Sequence, residues 1–322
     1  MKILSLFDPI RSELDVVEEK LHQAADAEHA RLGEILKYLM DAGGKRIRPA
    51  VVILASKFHD HDVARVMPLA AAVEMLHTAT LVHDDLLDGS SLRRGNPTLN
   101  AKLGAGAVVL VGDYLFARAA DLAAATESVP VINVFSKTLI AICRGEIRNA
   151  FDEDGWRRTK DGYYRSTYSK TASLFAASAE SGALLSGAPS AIVSSLRDYG
   201  CNLGMAFQIV DDILDFVGDE EEMGKPIGSD LRQGTVTLPL LLYYESHPKN
   251  DLLRAVFEEQ DGREEKIQTL VDMVRDSAAI ESARQEAMRF TMGAKEAIRD
   301  LAPNQYKQVM LDLADFLLER RG

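Results

Sequence analysis

An all-α fold, built as one large helical bundle over residues 1–322, is what this sequence predicts, on three observations. Apolar residues recur at helical spacing along nearly all of the chain, and the alternation of a half-buried strand is almost absent. Glycine and proline gather at a few points: Gly43-Gly44, Gly89, Gly95-Asn96-Pro97, Val129-Pro130, Gly187-Ala188-Pro189 and Gly224 to Gly228. No Ser/Pro-rich linker or low-complexity tract divides the chain, so a single domain is expected.

Taken in order, the pattern predicts helices over about 8–25, 30–42, 48–58, 65–88, 97–122, 129–153, 161–184, 190–217 and 234–246, with shorter ones to the C-terminus. Residues 101–122 and 174–185 are apolar around most of their circumference, as helices inside a bundle are. The C-terminal third is amphipathic and charged, as an outer wall is.

The net charge of −12 argues against nucleic acid as a partner and against a basic membrane-docking surface. A strongly anionic substrate remains compatible with it, because bound metal inverts the local field. Two isolated cysteines, Cys143 and Cys201, form neither a disulfide framework nor a zinc spacing, so a reducing cytoplasm is expected. No apolar run is expected to approach the roughly 20 residues that a transmembrane helix needs, and the N-terminus lacks a secretory pattern.

One internal echo stands out. His83-Asp84-Asp85-Leu86-Leu87-Asp88 and Val210-Asp211-Asp212-Ile213-Leu214-Asp215 share a spacing, each late in a long helix. First and third aspartates, four apart, lie on one helical face about 6 Å from each other. Two such charges 4 Å apart repel by about 4 kcal/mol at an effective dielectric near 20. A cation is therefore expected, and Mg²⁺ fits: it takes one or two carboxylates, keeps waters and completes its shell with phosphate oxygens. A single DDxxD reads as easily as a solvated helix end. Two matched copies beside apolar helices point to a diphosphate held through Mg²⁺.

A basic set complements them. Lys45 and Arg48 follow the glycine pair, where backbone approaches a ligand closely. Arg93 and Arg94 follow the first aspartates in a loop closed by Gly95, and arginine suits bidentate phosphate recognition. With His77 they make a candidate metal-free diphosphate site. The competing reading is that Lys45–Arg48 starts a helix and Arg93–Arg94 neutralises nearby aspartates.

These residues resemble the motifs of the trans-isoprenyl diphosphate synthases. Gly43–Pro49 is similar to GGKRxRP, Leu81–Thr98 to the first aspartate-rich region with its trailing RRGxPT, Gly145-Glu146 to GE, and Lys170-Thr171-Ala172 to KTA. Gly204–Asp215 resembles GxxFQxxDDxxD, and Gly224-Lys225-Pro226, Gly228-Ser229-Asp230-Leu231 and Thr237-Leu238-Pro239 continue it in the family's order. The resemblance implies an isoprenoid-synthase bundle around a deep cavity, usually homodimeric, with Mg²⁺ (three ions per site, Mn²⁺ as a substitute) held by Asp84, Asp85, Asp88, Asp211, Asp212 and Asp215. It implies that Lys170, Lys225 and Arg93 contact an allylic diphosphate, while Lys45, Arg48, His77 and Arg94 hold isopentenyl diphosphate. Thr171 and Gln208 carry oxygens for the allyl cation, unless each is simply a satisfied polar residue of the core. Two departures stand out: Asn149 replaces the Gln that follows GE, and Thr235 replaces a Lys before the TLP segment.

Ala79 and Thr80 precede the first aspartates, where family members with short products carry a bulky aromatic. Small residues there predict a pocket open to a long product of seven to ten isoprene units, octaprenyl diphosphate as the central expectation, made from farnesyl diphosphate for a quinone side chain. Phe135, Leu139, Ile142 and Glu146 form one helical stripe, with Phe135 about 16 Å along it from Glu146; Phe135 is a candidate floor or an ordinary core aromatic. The alternatives are a geranylgeranyl synthase, a non-catalytic subunit of a heteromeric prenyl synthase, a class I terpene cyclase, and a His-Asp metal phosphohydrolase suggested by His59-Asp60-His61-Asp62 and His83-Asp84.

Overall fold

The structure, a computed structural model, describes residues 3–24, 29–93, 95–151, 155–219 and 226–320. It consists of two compact units. The first comprises Met1–Leu139, Leu174–Gly200 and Lys295–Leu313, and the second Ile140–Ser173, Cys201–Ala294 and Ala314–Gly322.

In the first unit the Val63–Leu87 helix is the centre, packed by Arg11–Ala24, Ile47–Ser56 and Ala105–Ala124. Asp62 caps it, accepting from the Ala64 amide at 3.0 Å and relieving one orphan donor of the first turn. Its run from Val66 to Leu76 is buried because other helices surround it. This helix is long and apolar enough to cross a membrane, contrary to the expectation that none would be; 72% of its most apolar window is buried inside the protein, as in a core helix. Close packing also governs Ser173–Leu185, where a Cβ on Gly182 would lie 2.3 Å from the Val52 carbonyl oxygen.

The second unit has its own core, including Tyr163, Ile209, Ile213, Phe216, Leu240 and Leu270. Arg263–Arg275 and Ala279–Ala297 turn one stripe inward (Ile267, Leu270, Val271, Val274; Ile280, Ala283, Ala287) and charge outward, as the amphipathic pattern predicts.

Three elements differ from the sequence pattern. The helix expected over 97–122 is two, Leu99–Lys102 and Ala105–Ala124, broken where Leu103 becomes extended ahead of Gly104. It is not wholly interior either: Val109 is 40% and Leu110 70% exposed. The helix expected over 161–184 is interrupted by a π-helical turn, Tyr168–Ala172. That at 234–246 starts at Leu238, with Pro239 in its first turn. Cys143 is exposed and Cys201 half-buried, and no disulfide joins them.

Candidate active site

In the first unit, the aspartates end the Val63–Leu87 helix, where the Asp88 amide still bonds to the Asp84 carbonyl at 2.8 Å. Asp84 is part-exposed and Asp88 exposed, whereas Asp85 is buried. The short ladder pairing Leu92–Arg93 with Asn96–Pro97 turns the chain back, and Arg93 Nε donates to both Asp85 oxygens at 2.8 and 2.9 Å. Arg93 therefore neutralises the middle aspartate in this state. His83 is wedged against Gly112, where a Cβ would come within 2.1 Å of its Nε2.

The basic segment lies in the same unit. Gly43 (φ +66°) and Arg46 (φ +48°) are both left-handed, strain that a non-glycine residue sustains only when its surroundings hold it. The Arg46 side chain supplies the hold: it ion-pairs with Glu18 and donates to Glu74 Oε1 at 2.8 Å. Burial works against this guanidinium's charge, but its bonds to the two glutamates raise its pKa well above the ordinary arginine value. Lys45 is exposed, and Arg48 lies over the Phe175 ring at 4.6 Å. Gly43, Glu74, His77, Asp85 and Arg93 line one cavity of about 80 Å³, so the basic and acidic motifs of this unit converge. Ala79 is fully buried, Thr80 donates to the His77 carbonyl at 2.7 Å, and Phe135 is buried at 8% exposure. His61 and Asp62 serve local structure: His61 Nδ1 is 2.7 Å from Ser56 Oγ, and Asp62 is the helix cap described above.

The second unit holds the other triad, in the Ser190–Val217 helix. Asp211 keeps 35% exposure and ion-pairs with Arg320 at 2.8 Å; Arg320 also covers the Phe207 ring. Asp212 is buried with both oxygens engaged, by Tyr163 Oη at 2.6 Å and Gln208 Nε2 at 2.9 Å. Burial first, then the nearby Asp230 charge, pushes its pKa up to about 8, against the lowering effect of those hydrogen bonds. Burial, reinforced by Asp212, likewise holds the Tyr163 phenol well above its usual value. Asp215 is fully buried and accepts from the Asp230 amide at 3.1 Å. The echo of the two motifs thus ends at the third position, exposed in one and buried in the other.

Around this triad the GE and KTA motifs meet. Lys170 Nζ lies 3.7 Å from Glu146, and Thr171 donates to Gln208 Oε1 at 2.7 Å. The π-turn places Lys170 and Thr171 there, and Gly145 permits the approach: a Cβ on it would lie 2.6 Å from Ser169 Cβ. Asn149 accepts from Ser166 at 3.2 Å, and exposed Thr235 bonds through its amide to the Asp230 carbonyl. Arg94 and Lys225 lie outside the described residues.

Among the described residues no three His, Cys, Asp or Glu side chains form a closed metal cage. The donors that remain accessible, Asp84, Asp88 and Asp211, are hard carboxylate oxygens suited to Mg²⁺ that draws the rest of its shell from water and substrate.

The polyprenyl synthetase family profile matches residues 29–274. The chain belongs to that family. It is a prenyltransferase with the family's helical fold. It is 39% identical to heptaprenyl diphosphate synthase component 2 of Geobacillus stearothermophilus, over 99% of each chain. Identity is 33% to the octaprenyl diphosphate synthase of Haemophilus influenzae, over 99% of this chain and 96% of the relative. Among solved structures, a Caulobacter crescentus polyprenyl synthase complexed with calcium and isoprenyl diphosphate superposes with a TM-score of 0.95 at 33% identity, covering 100% of this chain and 98% of that one.

Sequence reasoning missed Arg46, Glu74, Tyr163 and Arg320 in this prenyltransferase. Arg46 was legible as the unassigned member of the basic run. Tyr163 stands two helical turns before Lys170, a weak signal. Arg320 carries none, since only the fold brings the C-terminal segment to Asp211.

Proposed function

We propose that this prenyltransferase is a long-chain trans-polyprenyl diphosphate synthase, adding isopentenyl units head to tail to farnesyl diphosphate, with octaprenyl diphosphate as the central product. The observation that carries the reading is the pair of aspartate-rich helix ends, each keeping a solvent-accessible outer carboxylate (Asp84 and Asp88; Asp211) while its middle aspartate is buried and hydrogen-bonded. The whole chain acts as one catalytic domain in this reading, in the cytoplasm.

Asp84, Asp88 and Asp211, supported by Asp85, Asp212 and Asp215, would hold Mg²⁺, three ions in the full complement. When bound, the metal supplies positive charge to the departing diphosphate. Lys170 and Lys225 add fixed charge where the leaving group becomes more negative as the allylic C–O bond breaks, so they act most strongly in the transition state. Arg93 reaches the same diphosphate by exchanging its bond to Asp85. Lys45, Arg48, His77 and Arg94 orient isopentenyl diphosphate so that its double bond attacks the allylic carbon. Thr171 and Gln208 present oxygens to the positive charge, and the proton lost afterwards passes to the departed diphosphate.

The test is incubation with farnesyl diphosphate, isopentenyl diphosphate and Mg²⁺, followed by product-length analysis. Growth to 35–50 carbons is expected; arrest at 20 carbons would replace this reading by geranylgeranyl synthesis. A second reading has a specific basis, the relative named as component 2 of a heptaprenyl synthase. There the chain elongates only with a second, different subunit. The exposed apolar positions Val109 and Leu110 suit either that partner or a second copy of this chain. Activity of the isolated chain favours the homodimer.

A further inference from the structure

We propose that Tyr163 is a positioning residue for prenyl transfer: through Asp212 and Gln208 it fixes the direction of the Thr171 hydroxyl, leaving the oxygen's lone pairs for the electron-poor allylic carbon. The proposal rests on the prenyl-transfer reading and assigns a part to a side chain that reading does not use.

Four side chains form one line: Tyr163 Oη to Asp212 Oδ2 (2.6 Å), Asp212 Oδ1 to Gln208 Nε2 (2.9 Å), and Gln208 Oε1 to Thr171 Oγ1 (2.7 Å). Its direction is forced chemically. An amide nitrogen only donates, so the end of Gln208 facing the carboxylate oxygen is its NH₂. The other end is then a carbonyl, which only accepts, so the single Thr171 proton is committed to it. The direction holds for the ionised carboxylate and for an acid protonated on Oδ2, where Oδ1 stays the accepting carbonyl oxygen.

The surroundings are largely apolar, with Arg158 5.8 Å from the Tyr163 ring centroid and the Thr167 hydroxyl bonded to the phenol. Tyr163 is 2% exposed among Ile209, Ile213, Phe216 and Leu240, and its ring meets Tyr164 edge-on at 5.6 Å. A polar line through such a core carries a desolvation cost that Leu or Phe in its place would avoid. It runs neither to backbone nor to the surface but to Thr171, in the π-helical turn that also carries Lys170. π-turns cost hydrogen-bond geometry and cluster at functional positions. Without the phenol, one Asp212 oxygen is left buried with no donor, the carboxylate turns to find one, and Gln208 and Thr171 turn with it.

Tyr163→Phe keeps the ring and removes only the hydroxyl. Steady-state and single-turnover elongation are measured with farnesyl and isopentenyl diphosphates, beside Tyr199→Phe as the structural control. Tyr199 is equally buried and donates to the Met310 carbonyl at 2.8 Å, away from any residue assigned a role. Expected for Tyr163→Phe is a fall in kcat of about tenfold or more with the KM for isopentenyl diphosphate within about twofold, as for misplacement of a reacting group. Tyr199→Phe lowers the melting temperature and leaves kcat unchanged. The double variant Tyr163→Phe/Thr171→Val runs no slower than Thr171→Val alone, since both act through one hydroxyl. Should Tyr163→Phe not fold, Gln208→Met cuts the same line from the other side and shows the same kcat loss. Wild-type kcat in either variant, or additive losses in the double, overturns the proposal while wild-type elongation keeps the functional reading intact. A wild-type enzyme that does not elongate, alone or with a partner subunit, overturns both.

Discussion

Replacing Arg46 by methionine tests how the basic motif is held. Arg46 bridges Glu18 on one helix and Glu74 on another, from a left-handed backbone position between Lys45 and Arg48. The Glu74 side chain is 8% exposed, so in Arg46→Met it keeps a buried charge without its guanidinium; breaking such a pair costs about 3–5 kcal/mol. The Glu18 contact adds less than about 1 kcal/mol, because that carboxylate is 38% exposed and screened by water. At about 2 cal/mol/K of unfolding entropy per residue over 322 residues, the loss lowers the melting temperature by about 5–9 °C. Calorimetry of wild type, Arg46→Met and Arg46→Met/Glu74→Leu measures it, and the double variant recovers part of the loss because no orphan charge remains. In the same preparations, the KM for isopentenyl diphosphate rises as Lys45 and Arg48 lose their fixed setting. A melting temperature within about 1 °C of wild type, or a double variant less stable than the single, would refute the clamp.

Gly145→Val puts a branched side chain where even a Cβ lies 2.6 Å from Ser169; kcat should fall at least about tenfold as Lys170 and Thr171 shift, and an unchanged rate would show that the close approach is dispensable. Asp212 holds its proton in the folded state up to about pH 8 but loses it near pH 4 when unfolded, so the stability linked to that proton is present below pH 4 and is lost as pH rises to 8. In EDTA, the wild-type melting temperature should fall between pH 5 and 8 more steeply than that of Asp212→Asn, and parallel slopes would contradict the assignment. Thr80→Tyr should shorten the products and Phe135→Ala lengthen them, read by product chromatography; unchanged lengths would remove both residues from the chain-length pocket.

The two aspartate triads were legible because a helix maps sequence spacing onto one face: residues four apart must be neighbours wherever the helix goes. The basic segment was read instead from its glycine pair and its arginines. The periodicity logic also recovered the helical character of the chain. It failed where neighbours are set by contacts distant in sequence. The break at Leu103-Gly104 and the π-turn at Tyr168–Ala172 interrupt stretches whose apolar periodicity runs on unbroken, since periodicity records which face is buried and not how the backbone bonds.

By itself, then, the sequence determined that the chain is helical, that two carboxylate triads stand at helix ends, and that a basic set accompanies them, all properties of local spacing. Only the tertiary structure decided which carboxylates stay accessible. Asp85 and Asp212 have the same local pattern as their neighbours, yet Arg93 neutralises one and Tyr163 and Gln208 engage the other. Asp88 and Asp215 occupy equivalent positions and end exposed and buried. Burial depends on which chain segments pack over a residue, and that information is spread over partners tens of residues away.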